Sequence, residues 1–114
     1  MMDQNAYVAW LLDFYGALLT PRQRFLLSQH VDEDFSVTEI ARLEGISRQG
    51  VYDAIHTAQQ QLLDYEARLG LLGRYFALRD AALQASRYLD AGDSLRALAA
   101  LKNVLDGEDE SDGV

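Results

Sequence analysis

The stretch SVTEIARLEGISRQGVYDAI, residues 36–55, decides the fold. Ser36 and Glu39 have the spacing of a capping box that starts a helix, and Gly45 can end that helix because glycine readily adopts a left-handed backbone. Ser47 can cap the helix that follows. Small or apolar residues occupy the positions where the two helices must pack: Ile40, Ala41, Ile46, Val51 and Ile55. The stretch therefore predicts a helix-turn-helix.

Two more helices are predicted upstream of this motif. Apolar residues at spacings of three and four form one stripe across residues 4–19: Tyr7, Leu11, Phe14 and Leu18. Thr20, Pro21 and Gln23 then give a complete helix-start signal, with a capping hydroxyl, a proline at the first position and a glutamine three residues after the cap. We expect a first helix over 4–19 and a second over 21–31.

Downstream, no helix-breaking residue occurs between Ser47 and Gly70, so the fourth helix is predicted to be long. Gly70 and Gly73 permit a bend before a fifth helix that reaches residue 91, and a last helix over 94–105 is expected to end at Gly107. Strand signals are weak throughout. The predicted class is all-α: a three- to four-helix helix-turn-helix core with a long fourth helix and a C-terminal helical extension.

We predict three segments: a helix-turn-helix domain over 1–65, a helical extension over 66–105, and a tail over 106–114. Five carboxylates crowd into the tail: Asp106, Glu108, Asp109, Glu110 and Asp112. A short acidic segment with glycine and serine cannot bury much apolar area, so we expect the tail to be disordered.

Composition excludes several classes of function. The chain has no cysteine, and its two histidines, His30 and His56, are far apart in sequence, so we expect no metal site and no cofactor. We expect that the protein is not an enzyme, because no glycine-rich phosphate loop follows a strand and the residues of a catalytic triad do not occur in a recognisable order. No apolar run could span a membrane and the N-terminus does not resemble a signal peptide, which predicts a cytoplasmic protein.

The second helix of a helix-turn-helix presents its N-terminal end to its ligand, where backbone amides and the helix dipole attract phosphate. The outward residues would be Ser47, Arg48, Gln49, Tyr52, Asp53 and His56. Arg48 would pair with guanine and Gln49 with adenine. Ser47 would reach a phosphate, and Tyr52 would stack or contact a backbone oxygen. The alternative is an ordinary solvated helix face.

Charge argues against a tight complex with duplex DNA. Residues 20–62 contain four arginines and six acidic residues, whereas DNA affinity comes largely from neutralised phosphates. Residues 63–105 hold six basic and five acidic residues, so Arg68, Arg74 and Arg79 are the candidate surface for RNA or an acidic partner. The alternative for these arginines is a set of salt bridges along solvated helices.

The helices after Tyr65 carry more apolar residues than one helical layer readily hides: Leu69, Leu71, Leu72, Tyr75, Phe76 and Leu78. Exposed apolar patches of this kind usually mark interfaces, so we expect a homodimer. The alternative is that the helix over 94–105 folds back and covers the stripe within one chain.

Two resemblances add to this interpretation. The motif and the preceding LTPRQRFLL, residues 19–27, resemble region 4 of sigma factors. LLDFYGALLT at 11–20, SRQGVYDAI at 47–55 and LDYE at 63–66 with Leu69 resemble the bacterial YlxM family over about residues 7–76. His56 and Thr57 stand where members of that family often carry lysine or arginine.

The YlxM resemblance implies a cytoplasmic helix-turn-helix regulator of the signal recognition particle pathway, because the genes of this family commonly neighbour those of the particle. The expected partners are then the protein or the RNA of the particle. A sequence-specific DNA-binding transcription regulator is the competing hypothesis, and a protein-interaction module is a third.

Overall fold

The computed structural model describes residues 2–112, with side chains as far as Gly107. The described part of the chain contains helices and no strand, so the all-α prediction is confirmed. The six α-helices are α1 (Gln4–Tyr15), α2 (Pro21–Val31), α3 (Val37–Glu44), α4 (Arg48–Leu69), α5 (Leu71–Asp90) and α6 (Ser94–Asp112), and a 3-10 turn spans Gly16–Leu18. None of the helices in the described range has the length and apolar character needed to cross a membrane.

Side-chain caps fix the helix starts in the first half of the chain. The Thr20 hydroxyl accepts from the Gln23 amide over 3.2 Å, and the Gln23 side chain accepts from the Thr20 amide over 3.1 Å. Ser36 and Glu39 make the same reciprocal pair at the start of α3. Both capping boxes predicted from the sequence are thus confirmed. Asp3 also caps α1 through the Ala6 amide.

The chain divides into two compact units, Met1–Leu72 and Gly73–Val114. In the first unit α4 is the central helix, because α1, α2 and α3 all pack against it. The fully buried side chains of this unit form its core: Tyr15, Leu11, Leu26, Leu27, Ile40, Leu62, Leu72 and Val51. Residues 65 and 66, between which we placed the domain boundary, lie inside α4.

The first helix differs from its prediction. It ends at Tyr15, and the 3-10 turn changes the register of the side chains that follow. Leu18 is therefore 56% exposed and Leu19 is buried instead. The buried face of α1 is formed by Val8, Leu11, Leu12 and Tyr15.

In the second unit, α5 and α6 are joined by the turn 91–93, where Gly92 has a φ of 79° and Asp93 caps α6 through the Arg96 amide. The helix end predicted at Gly107 is wrong, because α6 continues to Asp112. Gly107 has no positive φ, so nothing in its backbone stops the helix. The predicted acidic tail therefore begins inside α6; the side chains of 108–112, and Gly113 and Val114 altogether, lie outside the described residues.

Candidate nucleic-acid interface

The turn between α3 and α4 depends on one glycine. Gly45 ends α3 with φ 67° and ψ 32°, and both its amide and the Ile46 amide donate to the Ala41 carbonyl. A Cβ atom on Gly45 would meet nothing within 4 Å. Glycine is thus favoured here by the left-handed backbone and not by lack of space.

The two helices of the motif meet through the residues that the sequence pattern predicted. Ile40, Ala41, Val51 and Ile55 are buried, and Ile46 in the turn is half-buried. Packing of this side of α4 leaves its opposite side exposed, which determines the residues available to a ligand.

Ser47 organises the exposed start of α4. Its hydroxyl oxygen accepts from the Gly50 amide over 2.9 Å, so the hydroxyl proton stays available to a phosphate oxygen. The first amides of the helix have no intrahelical acceptor and carry the positive end of the helix dipole. The absence of a side chain at Gly50 leaves room for this cap, because a Cβ atom at that position would lie 3.1 Å from the Ser47 hydroxyl oxygen.

The six predicted site residues all lie on the exposed face of α4 or at its cap: Ser47, Arg48, Gln49, Tyr52, Asp53 and His56. Gln49 is not free to read a base, because its amide nitrogen donates to the Asp53 carboxylate over 2.8 Å. Base recognition by Gln49 therefore needs this bond to break first. Asp53 also places a negative charge on the face that a phosphate backbone would approach.

Tyr52 and His56 lie one helical turn apart, and their aromatic rings are nearly parallel. Their rings are stacked with centroids 5.9 Å apart and an angle of 5° between the planes. Tyr52 is 54% exposed. It also lines an open groove at the start of α3 and α4 together with Val37, Ser47, Arg48 and Gln49. Exposed parallel rings beside an arginine provide a surface on which an unpaired base can stack.

Comparison with known proteins assigns the family. Residues 2–95 match the model of the UPF0122 family, described as "putative helix-turn-helix protein, YlxM / p13 like". The chain belongs to this family. A UPF0122 protein of Symbiobacterium thermophilum is 42% identical over 98 residues, covering 83% of this chain and 92% of the relative. A UPF0122 protein of Geobacillus kaustophilus is 38% identical over 107 residues, covering 93% and 97%.

The three arginines predicted to form a second binding surface of this UPF0122 member are divided between the two units. Arg68 lies in the last turn of α4 in the first unit and pairs with Asp64, with 3.1 Å between Nε and Oδ2. Both side chains are largely exposed, so the pair contributes little to stability. Arg74 and Arg79 lie on α5 in the second unit. For Arg68 the salt-bridge alternative is therefore the arrangement that we observe.

Sequence reasoning missed a part-buried polar cluster in the first unit. The Tyr15 hydroxyl donates to Glu66 Oε1 over 2.6 Å and accepts from the Leu71 amide over 3.1 Å. The same carboxylate oxygen accepts from the Leu72 amide over 3.0 Å. Glu66 and Tyr15 thus cap the start of α5 directly after Gly70, which has a φ of 64°. They join α1 to the junction of α4 and α5.

This cluster changes the chemistry of the tyrosine. Burial raises the pKa of Tyr15 above its ordinary value, and the hydrogen bond donated to Glu66 raises that pKa further. A signal for the cluster exists in the sequence. Val51, Ile55, Ala58 and Leu62 form the buried stripe of α4, and Glu66 is the next position of that stripe. A carboxylate at a core position needs a buried partner.

Within residues 2–112, no group of three or more histidine or acidic side chains is arranged to hold a metal ion.

Proposed function

We propose that this chain is a non-enzymatic regulatory protein that binds nucleic acid through the N-terminal end of α4. The observation that carries this proposal is the geometry of the motif. A left-handed glycine turn and a buried seam present Ser47, Arg48 and Tyr52 together on one exposed helix start. Membership of a family described as helix-turn-helix agrees with this role.

We propose further that the regulator acts in the signal recognition particle pathway and that its ligand is the RNA of the particle. The pathway follows from the YlxM resemblance. The preference for RNA over duplex DNA rests on two features of the face: Gln49 is held by Asp53, and the parallel rings of Tyr52 and His56 suit an unpaired base. Arg68, Arg74 and Arg79 are additional candidates for phosphate contacts.

Operator DNA is the second candidate ligand. Arg48 favours it, because this exposed side chain stands at the first position of α4, where a helix-turn-helix reads base edges. Guanine recognition by arginine is the commonest specific contact in such complexes. The protein component of the signal recognition particle is the third candidate ligand. This chain would then bind that protein in the absence of RNA.

One set of titrations tests these ligands. Wild type, Tyr52→Ala, Arg48→Ala and the triple variant of Arg68, Arg74 and Arg79 to alanine are titrated at several salt concentrations. The probes are particle RNA, random duplex and pooled promoter fragments. Arg42→Ala is the matched control, since it removes one exposed positive charge from the last turn of α3, at a residue that does not line the groove beside Tyr52.

We expect particle RNA to bind, with Tyr52→Ala losing about 1–3 kcal/mol of stacking free energy. Arg48→Ala should weaken binding and reduce the slope of log affinity against log salt concentration by about one, the contribution of one phosphate contact. The triple variant should reduce this slope further. Arg42→Ala should change neither. Nanomolar, Arg48-dependent binding to one promoter fragment would contradict RNA as the ligand and assign operator DNA. If this chain still captures the protein of the particle after ribonuclease treatment, that protein is the ligand.

A further inference from the structure

A recess in the first unit brings together the two histidines of the chain. His30 lies in the last turn of α2 and His56 on α4, and although they are far apart in the sequence, both line one cavity of about 310 Å³. We call this cavity the histidine recess. Its other lining residues come from α1, α3 and α4: Gln4, Val37, Tyr52, Ile55 and Gln59. Sites for small molecules begin at about 300 Å³, so the recess has room for one small planar group.

The histidine recess adjoins the groove at the start of α3 and α4. Tyr52 and Val37 line both, so the groove and the recess share a wall. The groove also contains Ser47 and Arg48, the two side chains suited to phosphate. A nucleotide strand whose backbone lies in the groove can therefore turn one base into the recess without leaving the start of α4.

His30 offers the recess a hydrogen-bond acceptor. Its Nδ1 atom lies 2.9 Å from the Phe35 carbonyl oxygen. Because a carbonyl oxygen can only accept, Nδ1 carries the proton, and in the neutral ring Nε2 keeps its lone pair. The hydrogen bond to Phe35 also fixes the orientation of the half-buried ring. Nε2 is thus the ring atom available to accept a proton from a ligand.

Gln59 offers the recess a donor and an acceptor side by side. The residue is half-buried, and its side chain forms no hydrogen bond with another residue in the described part of the chain. The amide of a glutamine matches adenine through two hydrogen bonds, because it accepts from the amino group and donates to a ring nitrogen. This pairing is not open to Gln49, whose amide is held by Asp53.

We propose that the histidine recess binds one unpaired adenine base of a single-stranded RNA; this inference rests on the proposed function, since the recess adjoins the proposed RNA face. Gln59 pairs with a ring nitrogen and one amino proton of the base, and His30 Nε2 accepts the other amino proton. The Tyr52 and His56 rings supply apolar contact. Uracil has a carbonyl oxygen in place of the amino group, which would face the His30 lone pair with a second acceptor, so the recess discriminates against uracil.

Titration of the full chain with three single-stranded RNAs of equal length tests the base preference. The probes are oligoadenylate, oligouridylate and an oligomer of purine riboside, whose base lacks the amino group. One salt concentration is used throughout, so that the phosphate contribution is the same for all three. Wild type should bind oligoadenylate at least about fivefold more tightly than either of the others.

Two adjacent glutamines of α4 provide matched variants. Gln59→Leu should remove the preference for oligoadenylate and leave the affinity for oligouridylate unchanged, because leucine is similar in size but forms no hydrogen bond. Gln60→Leu makes the same substitution at the next residue, which is exposed and lies outside the recess, and should keep the preference.

The purine riboside probe needs no change in the protein, so it tests the recess even where Gln59→Leu does not fold. Equal wild-type affinities for the adenine and purine oligomers would overturn the proposal, as would loss of the preference in both glutamine variants. Binding to particle RNA without any preference for adenine would overturn this inference alone. If wild type binds none of these RNAs, the proposed function is overturned with it.

Discussion

Replacing Tyr15 with phenylalanine removes one hydroxyl group and leaves the buried ring in place. That hydroxyl donates to Glu66 over 2.6 Å and accepts from the Leu71 amide over 3.1 Å. A hydrogen bond to a charged group contributes about 1.5–3 kcal/mol to stability. We expect Tyr15→Phe to lower the free energy of unfolding by about 2 kcal/mol and the melting temperature by roughly 8–16 °C.

The same substitution should change how stability depends on pH. Burial, followed by the hydrogen bond to Glu66, raises the pKa of Tyr15 in the folded protein. The unfolded chain therefore loses this proton first, as pH passes about 10, and wild type loses stability as pH rises from there through the raised folded-state pKa. Phenylalanine has no proton to lose, so the gap between variant and wild type should narrow above about pH 10.

Urea unfolding followed by circular dichroism, at about pH 7, 9.5 and 11, measures both effects. Tyr65→Phe is the matched control. Its hydroxyl lies 3.5 Å from the Leu18 carbonyl in an exposed position, so its loss should cost less than about 0.5 kcal/mol. The reasoning is refuted if Tyr15→Phe unfolds at the same urea concentration as wild type, or if the two lose stability in parallel above pH 10.

Substitutions at three further positions test the helix-turn-helix and its ligand. Gly45→Val should cost about 1–3 kcal/mol in denaturation experiments, because it forces a β-branched residue to φ 67°, whereas Gly45→Asn should be nearly neutral; an unaffected valine variant would contradict the turn. Ser47→Ala should cost about 1 kcal/mol in thermal unfolding, since the Gly50 amide loses its acceptor, and an unchanged melting temperature would mean that the cap contributes nothing. Asp53→Asn should tighten RNA binding roughly threefold at low salt, from a Coulomb energy of about 0.7 kcal/mol at 6 Å in water. Unchanged affinity in that titration would place the ligand away from the start of α4.

The sequence predicted the features that depend on residues a few positions apart. A capping box needs a hydroxyl and a side-chain acceptor three residues later, and both predicted boxes are present, at Thr20 and Ser36. A glycine between two amphipathic helices predicted the left-handed turn at Gly45. The exposed face of α4 followed from the same helical periodicity, which is why all six candidate residues are exposed as expected. The family resemblance was confirmed for the same reason, since it rests on contiguous motifs.

Local patterns were less decisive where several backbone choices had similar free energies. Gly70 and Gly73 were equivalent as bend positions in the sequence, yet the chain turns at Gly70, while Gly73 continues inside α5. Helical periodicity placed Leu18 on the apolar stripe of the first helix, but the 3-10 turn directs Leu18 outward and Leu19 into the core. Side-chain pairing on the surface, such as Gln49 with Asp53, depends on the rotamers that the folded helix allows.

Only the tertiary structure decided how α1 is joined to the start of α5. Tyr15 and Glu66 are 51 residues apart, and Tyr15 and Leu71 are 56 apart, so no spacing in the sequence relates them. Their hydrogen bonds exist because packing of α1 against α4 brings a buried hydroxyl to the last turn of α4, where a carboxylate occupies the core-facing position. Local sequence determines where helices begin, whereas the partners of a buried polar group are determined by which helix faces meet.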